Sequence, residues 1–119
     1  MPIAPRVLVV ENDPLVLRSI RRGLAPVALV VAASSVSEAL LLLRHNSAQW
    51  DMILLDGELG DGTALDVLAA LPVPRLPVLV LTGSVDRTFR AALSRANVPV
   101  LEKPFEMGEV LAWVRERAP

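Results

Sequence analysis

Five short apolar runs recur along this chain, and in none of them do polar and apolar residues alternate. Each run is rich in Val, Ile and Leu, and together they span residues 7–10, 27–33, 52–55, 78–81 and 98–101. Unbroken runs of this length are typical of strands buried on both faces of a parallel sheet, because strands with one wet face show alternation. The pattern therefore predicts five parallel strands whose two faces are both covered.

The segments between these runs carry apolar residues at helical spacing. Val16, Ile20 and Leu24 recur every four residues, and similar stripes occupy residues 36–43, 65–71, 89–96 and 107–114. Each parallel return needs a crossover, so this alternation predicts an α/β fold, a doubly wound open sheet with helices on both faces. A closed eight-stranded barrel needs about twice this length. Residues 1–119 are therefore expected to form a single domain.

Composition excludes several classes of protein. Apolar residues make up 53% of the chain, and the net charge is -1, so we expect a soluble globule without the basic excess that attracts nucleic acid. The chain has no cysteine and one histidine, His45, which excludes thiolate and histidine-rich metal centres. No apolar run approaches the roughly 20 residues that cross a membrane, and no secretory signal is visible. A cytoplasmic location is expected.

Polar residues follow four of the five predicted strands. In open parallel sheets, ligands bind beyond the carboxyl ends of the strands, so these residues should meet at one edge. Carboxylate oxygens suit Mg²⁺, a carboxylate can act as a nucleophile toward phosphorus, and an ammonium group neutralises a transferring phosphoryl group. The segments at the carboxyl ends of these four strands are Glu11, Asn12 and Asp13; Asp56, Gly57 and Glu58; Thr82, Gly83 and Ser84; and Glu102, Lys103 and Pro104.

Four motifs in this order resemble the receiver domain of two-component response regulators, such as the chemotaxis regulators. They are an acidic cluster after the first strand, an aspartate that closes an apolar run in MILLDGELGDG, Thr-Gly after the fourth strand, and Lys-Pro-Phe after the fifth. The resemblance covers essentially the whole chain. It implies a flavodoxin-like (βα)5 sheet with strand order 2-1-3-4-5, and a non-enzymatic switch phosphorylated with Mg²⁺ by a histidine kinase or histidine phosphotransfer protein. The new charge would then alter binding to an unknown downstream protein.

The resemblance also assigns roles to individual residues. Asp56 matches the phosphoacceptor, Lys103 the lysine that pairs with it, and Thr82 the hydroxyl that moves toward the phosphoryl group. Glu11 and Asn12 fall at the acidic pair that holds Mg²⁺ together with Asp56. Glu58 falls at the position whose backbone carbonyl completes the metal site in the family, which also implies a cis bond between Lys103 and Pro104.

Three positions depart from the family pattern. Asn12 is neutral where the family most often has an acid, which predicts weaker Mg²⁺ binding; Glu11 and Asp13 are alternative ligands. Asp13 precedes Pro14, a pattern that in the first place predicts a helix N-cap. Val100 stands where the family usually has the aromatic ring of the switch, and Gly60 replaces a frequent proline.

These departures keep an alternative open, in which the chain is a pseudo-receiver that binds partners without efficient phosphorylation. A small phosphohydrolase with an aspartate nucleophile is disfavoured, since its Asp-x-Asp pattern is replaced here by Asp56, Gly57 and Glu58. The sequence does not distinguish a stand-alone regulator from a receiver within a hybrid sensor kinase.

Overall fold

A computed structural model describes residues 3–46, 49–72, 75–84 and 86–119. In these ranges five strands alternate with five helices. The strands are β1 (Arg6–Val10), β2 (Leu29–Ala33), β3 (Met52–Asp56), β4 (Val78–Thr82) and β5 (Val100–Glu102). The helices are α1 (Pro14–Leu24), α2 (Val36–Asn46), α3 (Ala64–Ala69), α4 (Arg87–Arg95) and α5 (Met107–Arg117).

The five strands form one parallel sheet in the order β2-β1-β3-β4-β5, which confirms the predicted fold. β1 pairs with both β2 and β3, and Leu8 lies in register between Val31 and Ile53. The order reverses direction at β1, so the loops that follow β1 and β3 diverge to opposite faces of the sheet. A crevice therefore opens at the carboxyl ends of these two strands.

Each face of the sheet has its own hydrophobic core. Val7 and Val9 of β1 pack with Ile20 and Leu24 of α1 and with the buried residues of α5. The intervening residues of β1, which point to the other face, pack with α2, α3 and the buried Leu93 of α4. Burial of one such side chain contributes about 1.5–3 kcal/mol. The two layers explain why the central strands show no polar alternation.

Two strands, the second and the fifth, begin two residues later than predicted. The second begins at Leu29, because the amides of Val27 and Ala28 close the end of α1 by donating to the Leu24 carbonyl. β2 is an edge strand, and Leu29 is 56% exposed, so this strand is not buried on both faces. The fifth begins at Val100, since residues 96–98 complete the end of α4 and Asn97 there has a φ of 58°.

The predicted start of α1 is confirmed. Asp13 is the N-cap, its Oδ1 accepts a hydrogen bond from the Leu15 N–H at 2.9 Å, and Pro14 occupies the first turn. Pro14 loses nothing there, since the first amides of a helix have no intrahelical partner. In the part of the chain that the structure describes, no helix is long and apolar enough to cross a membrane.

Candidate functional site

Parallel packing brings four polar side chains to one edge of the sheet. Asp56 ends β3 and Thr82 ends β4, whereas Glu11 follows β1 and Lys103 follows β5. Because β1, β3, β4 and β5 are neighbours in that order, their carboxyl ends meet. An open cavity of about 590 Å³ lies at this edge, lined by Asn12, Asp13, Asp56, Glu58, Gly60, Thr82, Gly83 and Lys103.

Lys103 connects the two buried carboxylates of the site. Its Nζ donates to Glu11 Oε1 at 3.0 Å and to Asp56 Oδ1 at 3.2 Å. Burial alone lowers the pKa of Lys103, but the hydrogen bonds and negative charge of Glu11 and Asp56 outweigh burial, so the pKa is raised. Lys103 is therefore an ammonium ion at neutral pH and orients the Asp56 carboxylate.

Glu11 is the most deeply buried charged residue of the site, with 1% of its surface exposed. Burial, followed by a hydrogen bond shared with Asp56, raises the pKa of Glu11 to about 7. Hydrogen bonds from the Asp13 N–H and Lys103 act in the opposite direction and are outweighed. At pH values between its ordinary pKa and about 7, Glu11 is thus protonated in the folded protein and ionised in the unfolded chain.

Asp56 is 5% exposed and stands at the end of a fully buried strand. Besides Lys103, the backbone N–H of Glu58 donates to Asp56 Oδ1, at 3.2 Å. The Lys103 ammonium group and the Glu58 N–H both donate to Oδ1. The carboxylate is thus oriented through one oxygen and borders the open cavity.

Thr82 is 1% exposed and packs closely against Gly57. Its Oγ1 accepts a hydrogen bond from the Ser84 N–H at 3.0 Å. A Cβ on Gly57 would lie 2.5 Å from Thr82 Oγ1 and 2.7 Å from Thr82 Cβ. Only glycine therefore fits at position 57 in this arrangement.

We expect Gly57→Ala to destabilise the protein by about 1–3 kcal/mol, since the new methyl group must displace Thr82 from a packed position. Urea unfolding measures the change. Gly108→Ala is the matched control, because a Cβ there meets no atom within 4 Å, and the substitution should be neutral or stabilising by up to about 1 kcal/mol. Equal stability changes in the two variants would contradict the tight contact.

The other predicted site residues lie around the mouth of the cavity. Asn12, Asp13 and Glu58 are exposed, and all three line it. Asp13 therefore borders the site while it caps α1, and its N–H donates to Glu11 Oε2 at 3.1 Å. Val100 is half-buried beside the core that contains Phe89, and the bond between Lys103 and Pro104 is cis.

Two features of the site were not predicted from the sequence. One is the close approach of Gly57 to Thr82, and the other is a hydrogen-bonded contact between Asp61 and the start of α2. The signal for the contact between Gly57 and Thr82 was the glycine-rich segment GELGDG, which directly follows Asp56. Glycine often marks places where two backbone segments approach closely. The contact between Asp61 and α2 joins residues 25 positions apart, so no local sequence pattern predicts it.

The donor set of the cavity fits Mg²⁺. Asp56, Asn12 and the Glu58 backbone offer hard oxygen atoms, and Mg²⁺ binds through one or two carboxylates while it keeps several waters. Among the described residues, no three His, Cys, Asp or Glu side chains converge as a ready metal cluster. An ion here would therefore depend on amide, carbonyl and water oxygens as well as on Asp56.

The fold and the site define a class of protein. Its members are doubly wound α/β proteins with an acidic, lysine-containing pocket at the carboxyl ends of the parallel strands. The sequence matches the response regulator receiver domain family over residues 7–115, so the chain belongs to that family. Receiver domains generally accept a phosphoryl group, use Mg²⁺ at that site and interact with histidine kinases or phosphotransfer proteins. No curated protein matches the sequence.

Solved structures with the same fold include several receiver domains. One is the signal receiver domain of an HD domain-containing protein from Pseudomonas fluorescens Pf-5, with 23% identity, 97% of this chain and 94% of that chain covered, and a TM-score of 0.85. Another is a CheY-like response regulator receiver domain protein from Methanospirillum hungatei JF-1, with 21% identity, coverages of 96% and 93%, and a TM-score of 0.87. At these identities the likeness concerns the fold alone.

Proposed function

We propose that residues 1–119 form a single receiver domain that is phosphorylated on Asp56 in a His-Asp phosphorelay. The observation that carries this proposal is the position of Asp56 at the end of β3, with Lys103 Nζ 3.2 Å from Oδ1 and an open cavity beside it. Membership of the receiver family supports the same reaction. The domain is proposed to act in the cytoplasm.

The proposed step moves one phosphoryl group from a phosphohistidine to Asp56. An Asp56 oxygen attacks phosphorus, an O–P bond forms, the N–P bond breaks, and the imidazole leaves with the electron pair of that bond. Lys103 neutralises charge on the phosphoryl oxygens, and the Thr82 hydroxyl donates to one of them after it leaves its position beside Gly57. The donor is a histidine kinase or a histidine phosphotransfer protein.

Asn12, Asp56 and the Glu58 carbonyl are the residues proposed to hold Mg²⁺, with Glu11 and Asp13 as charged neighbours. When bound, the ion supplies positive charge that stabilises the transferring phosphoryl group. In the product, a phosphoryl group with a charge of about −1.5 to −2 replaces the single negative charge of the Asp56 carboxylate, next to the loops that follow β3 and β4. Repositioning of these loops is proposed to change binding to a downstream protein, and not to nucleic acid or a membrane.

Incubation with a small phosphodonor, such as acetyl phosphate, tests the proposal. Intact mass should show one added phosphoryl group with Mg²⁺ present, no addition with a chelator, and no addition in Asp56→Asn. Circular dichroism establishes that each sample is folded. Failure of the folded wild-type protein to gain mass from both acetyl phosphate and a panel of phosphorylated histidine phosphotransfer proteins would reject the phosphoacceptor.

That negative result would favour the second candidate, a pseudo-receiver that binds partners without being phosphorylated. Two observations support this alternative. Asn12 brings no charge to the mouth of the cavity, and Val100 supplies no aromatic ring at the position where the family usually has one.

The raised pKa of Glu11 predicts that Mg²⁺ binding depends on pH. Below about pH 7 Glu11 is protonated in the ion-free protein, and a cation nearby favours its ionised form. Binding should therefore release a proton, and Mg²⁺ affinity should fall by about tenfold between pH 8 and pH 6. Calorimetry in buffers of different ionisation enthalpy measures both quantities. Glu11→Gln should remove the proton release, and an unchanged release in this variant would contradict the assignment to Glu11.

A further inference from the structure

The first turn of α2 is capped by a side chain from a distant part of the chain. Asp61 Oδ1 accepts a hydrogen bond from the Val36 N–H at 2.9 Å, and Oδ2 accepts from the Ser37 N–H at 3.1 Å. The hydroxyl of Ser37 also lies 3.1 Å from Asp61 Oδ2. Asp61 is thus bound to α2 through both of its carboxylate oxygens.

The local sequence caps only part of this helix end. The Glu38 N–H donates to the hydroxyl of Ser35 at 3.0 Å, and the regular helical bonds begin at Ala39, whose N–H donates to the Ser35 carbonyl. The first amides of a helix have no intrahelical acceptor, so those of Val36 and Ser37 depend on Asp61. The beginning of α2 is therefore stabilised from outside the helix.

Asp61 belongs to a short loop that starts at the candidate phosphoacceptor. The Glu58 N–H donates to Asp56 Oδ1 at 3.2 Å, the Leu59 N–H to the Gly62 carbonyl at 3.0 Å, and the Asp61 N–H to the Leu59 carbonyl at 2.7 Å. These bonds make residues 58–62 a compact unit. One end of this unit is bonded to the Asp56 carboxylate, and its Asp61 side chain is bonded to α2.

The charge of Asp61 strengthens the connection. Hydrogen bonds from the Val36 and Ser37 amides lower the pKa of Asp61, so it remains ionised through the neutral range. An ionised acceptor makes stronger hydrogen bonds than a neutral one, and the N-terminus of a helix favours negative charge. The ionised Asp61 carboxylate is therefore a stronger acceptor for the Val36 and Ser37 amides than a neutral side chain would be.

We propose that Asp61 is a positioning residue that couples the loop behind Asp56 to the first turn of α2. A change at the Asp56 carboxylate weakens the acceptor of the Glu58 N–H, shifts residues 58–62 and loosens the cap on Val36 and Ser37. The part that concerns phosphorylation rests on the proposed function. The structural coupling does not, because any change at Asp56 should produce it.

Amide hydrogen exchange followed by NMR tests the coupling without phosphorylation. Asp61→Ala should speed exchange at Val36 and Ser37 by about fivefold, the expected effect of a lost helix cap. Asp61→Asn retains one acceptor oxygen, so it should restore part of the protection. Asp56→Ala should also speed exchange at these two amides, by about twofold or more, and should add nothing in the Asp61→Ala background.

Asp86→Ala is the matched control, since Asp86 accepts from the Phe89 N–H at 2.9 Å and so caps α4 within its own sequence. Its removal should leave Val36 and Ser37 unaffected. The proposal is overturned if Asp56→Ala leaves both exchange rates unchanged, or if the effects of Asp56→Ala and Asp61→Ala simply add.

A second experiment uses beryllium fluoride with Mg²⁺, which mimics an acyl phosphate, to test the coupling at Asp56. If the adduct forms, as seen by ¹⁹F NMR, faster exchange at Val36 and Ser37 supports the proposal, and unchanged exchange overturns it. If no adduct forms, that result counts against the proposed function, and the Asp56→Ala measurement alone decides the coupling. The two failures are thereby distinguished.

Discussion

Lys103→Gln is expected to slow phosphorylation of Asp56 by about 100-fold, because it removes the cation that faces the transferring group. The same change should lower the free energy of unfolding by about 2 kcal/mol at pH 8, where Glu11 and Asp56 both lose their counter-ion. This value lies below that for a fully buried pair, since 25% of the Lys103 side chain is exposed. Initial rates of mass gain and urea unfolding measure the two effects.

The loss of unfolding free energy in Lys103→Gln should be smaller at pH 6. At that pH Glu11 is protonated, so it carries no negative charge that the Lys103 ammonium group would neutralise. Arg90→Gln is the matched control. Arg90 pairs with Glu102 at 3.1 Å, but Glu102 is 74% exposed, so the loss should be below about 0.5 kcal/mol at either pH. A Lys103→Gln variant as stable at pH 8 as wild type would show that the two carboxylates do not depend on this ammonium group.

Asn12→Asp is expected to tighten Mg²⁺ binding by about tenfold, or roughly 1.4 kcal/mol. The added carboxylate would lie at the mouth of the cavity that Asp56 and Glu58 also line. The gross attraction between a carboxylate and a divalent ion is several times larger, but the displacement of water and repulsion from Asp56 reduce it. Mg²⁺ titration followed by NMR at the loop amides gives the dissociation constant.

Asn97→Asp provides the control for Asn12→Asp, since Asn97 lies between α4 and β5 at the other end of the sheet. It adds the same charge without approaching the cavity and should leave the Mg²⁺ dissociation constant unchanged. An unchanged constant in Asn12→Asp would show that residue 12 does not contribute to the metal site. Phosphorylation gained only in Asn12→Asp would identify the natural chain as a pseudo-receiver that has lost its metal ligand.

The sequence predicted the parts of the structure that depend on local pattern and on parallel topology. Buried runs such as that of β3 carry a strong signal because both of their faces are apolar. The edge strand β2 was predicted two residues too long, because apolar residues in the turn after α1 look the same as apolar residues in a strand. Asp13 was predicted as a helix cap from its neighbour Pro14, and the cap is present.

The contacts that the sequence did not predict are between side chains that come from separate elements. Glu11 was predicted near the metal, and its hydrogen bond with Lys103, 92 positions away, was not predicted. The position of Glu11 depends on how deeply its side chain is buried at the carboxyl end of β1. That depth is set by packing and has no periodic signature. Asp61 was an unremarked loop residue, because its partners belong to the helix that precedes β3.

The two separate cores imply that the two faces of the sheet differ in how readily they open locally after a perturbation. Val110 and Val114 of α5 share a layer with α1, whereas α2, α3 and α4 pack on the opposite face of the sheet. Local opening of native proteins occurs in cooperative units that follow such packing boundaries. The α2–α4 layer can therefore loosen while the α1–α5 layer keeps its protection against exchange. A covalent change at the strand ends would then be read out as a difference in rigidity between two faces of one small protein.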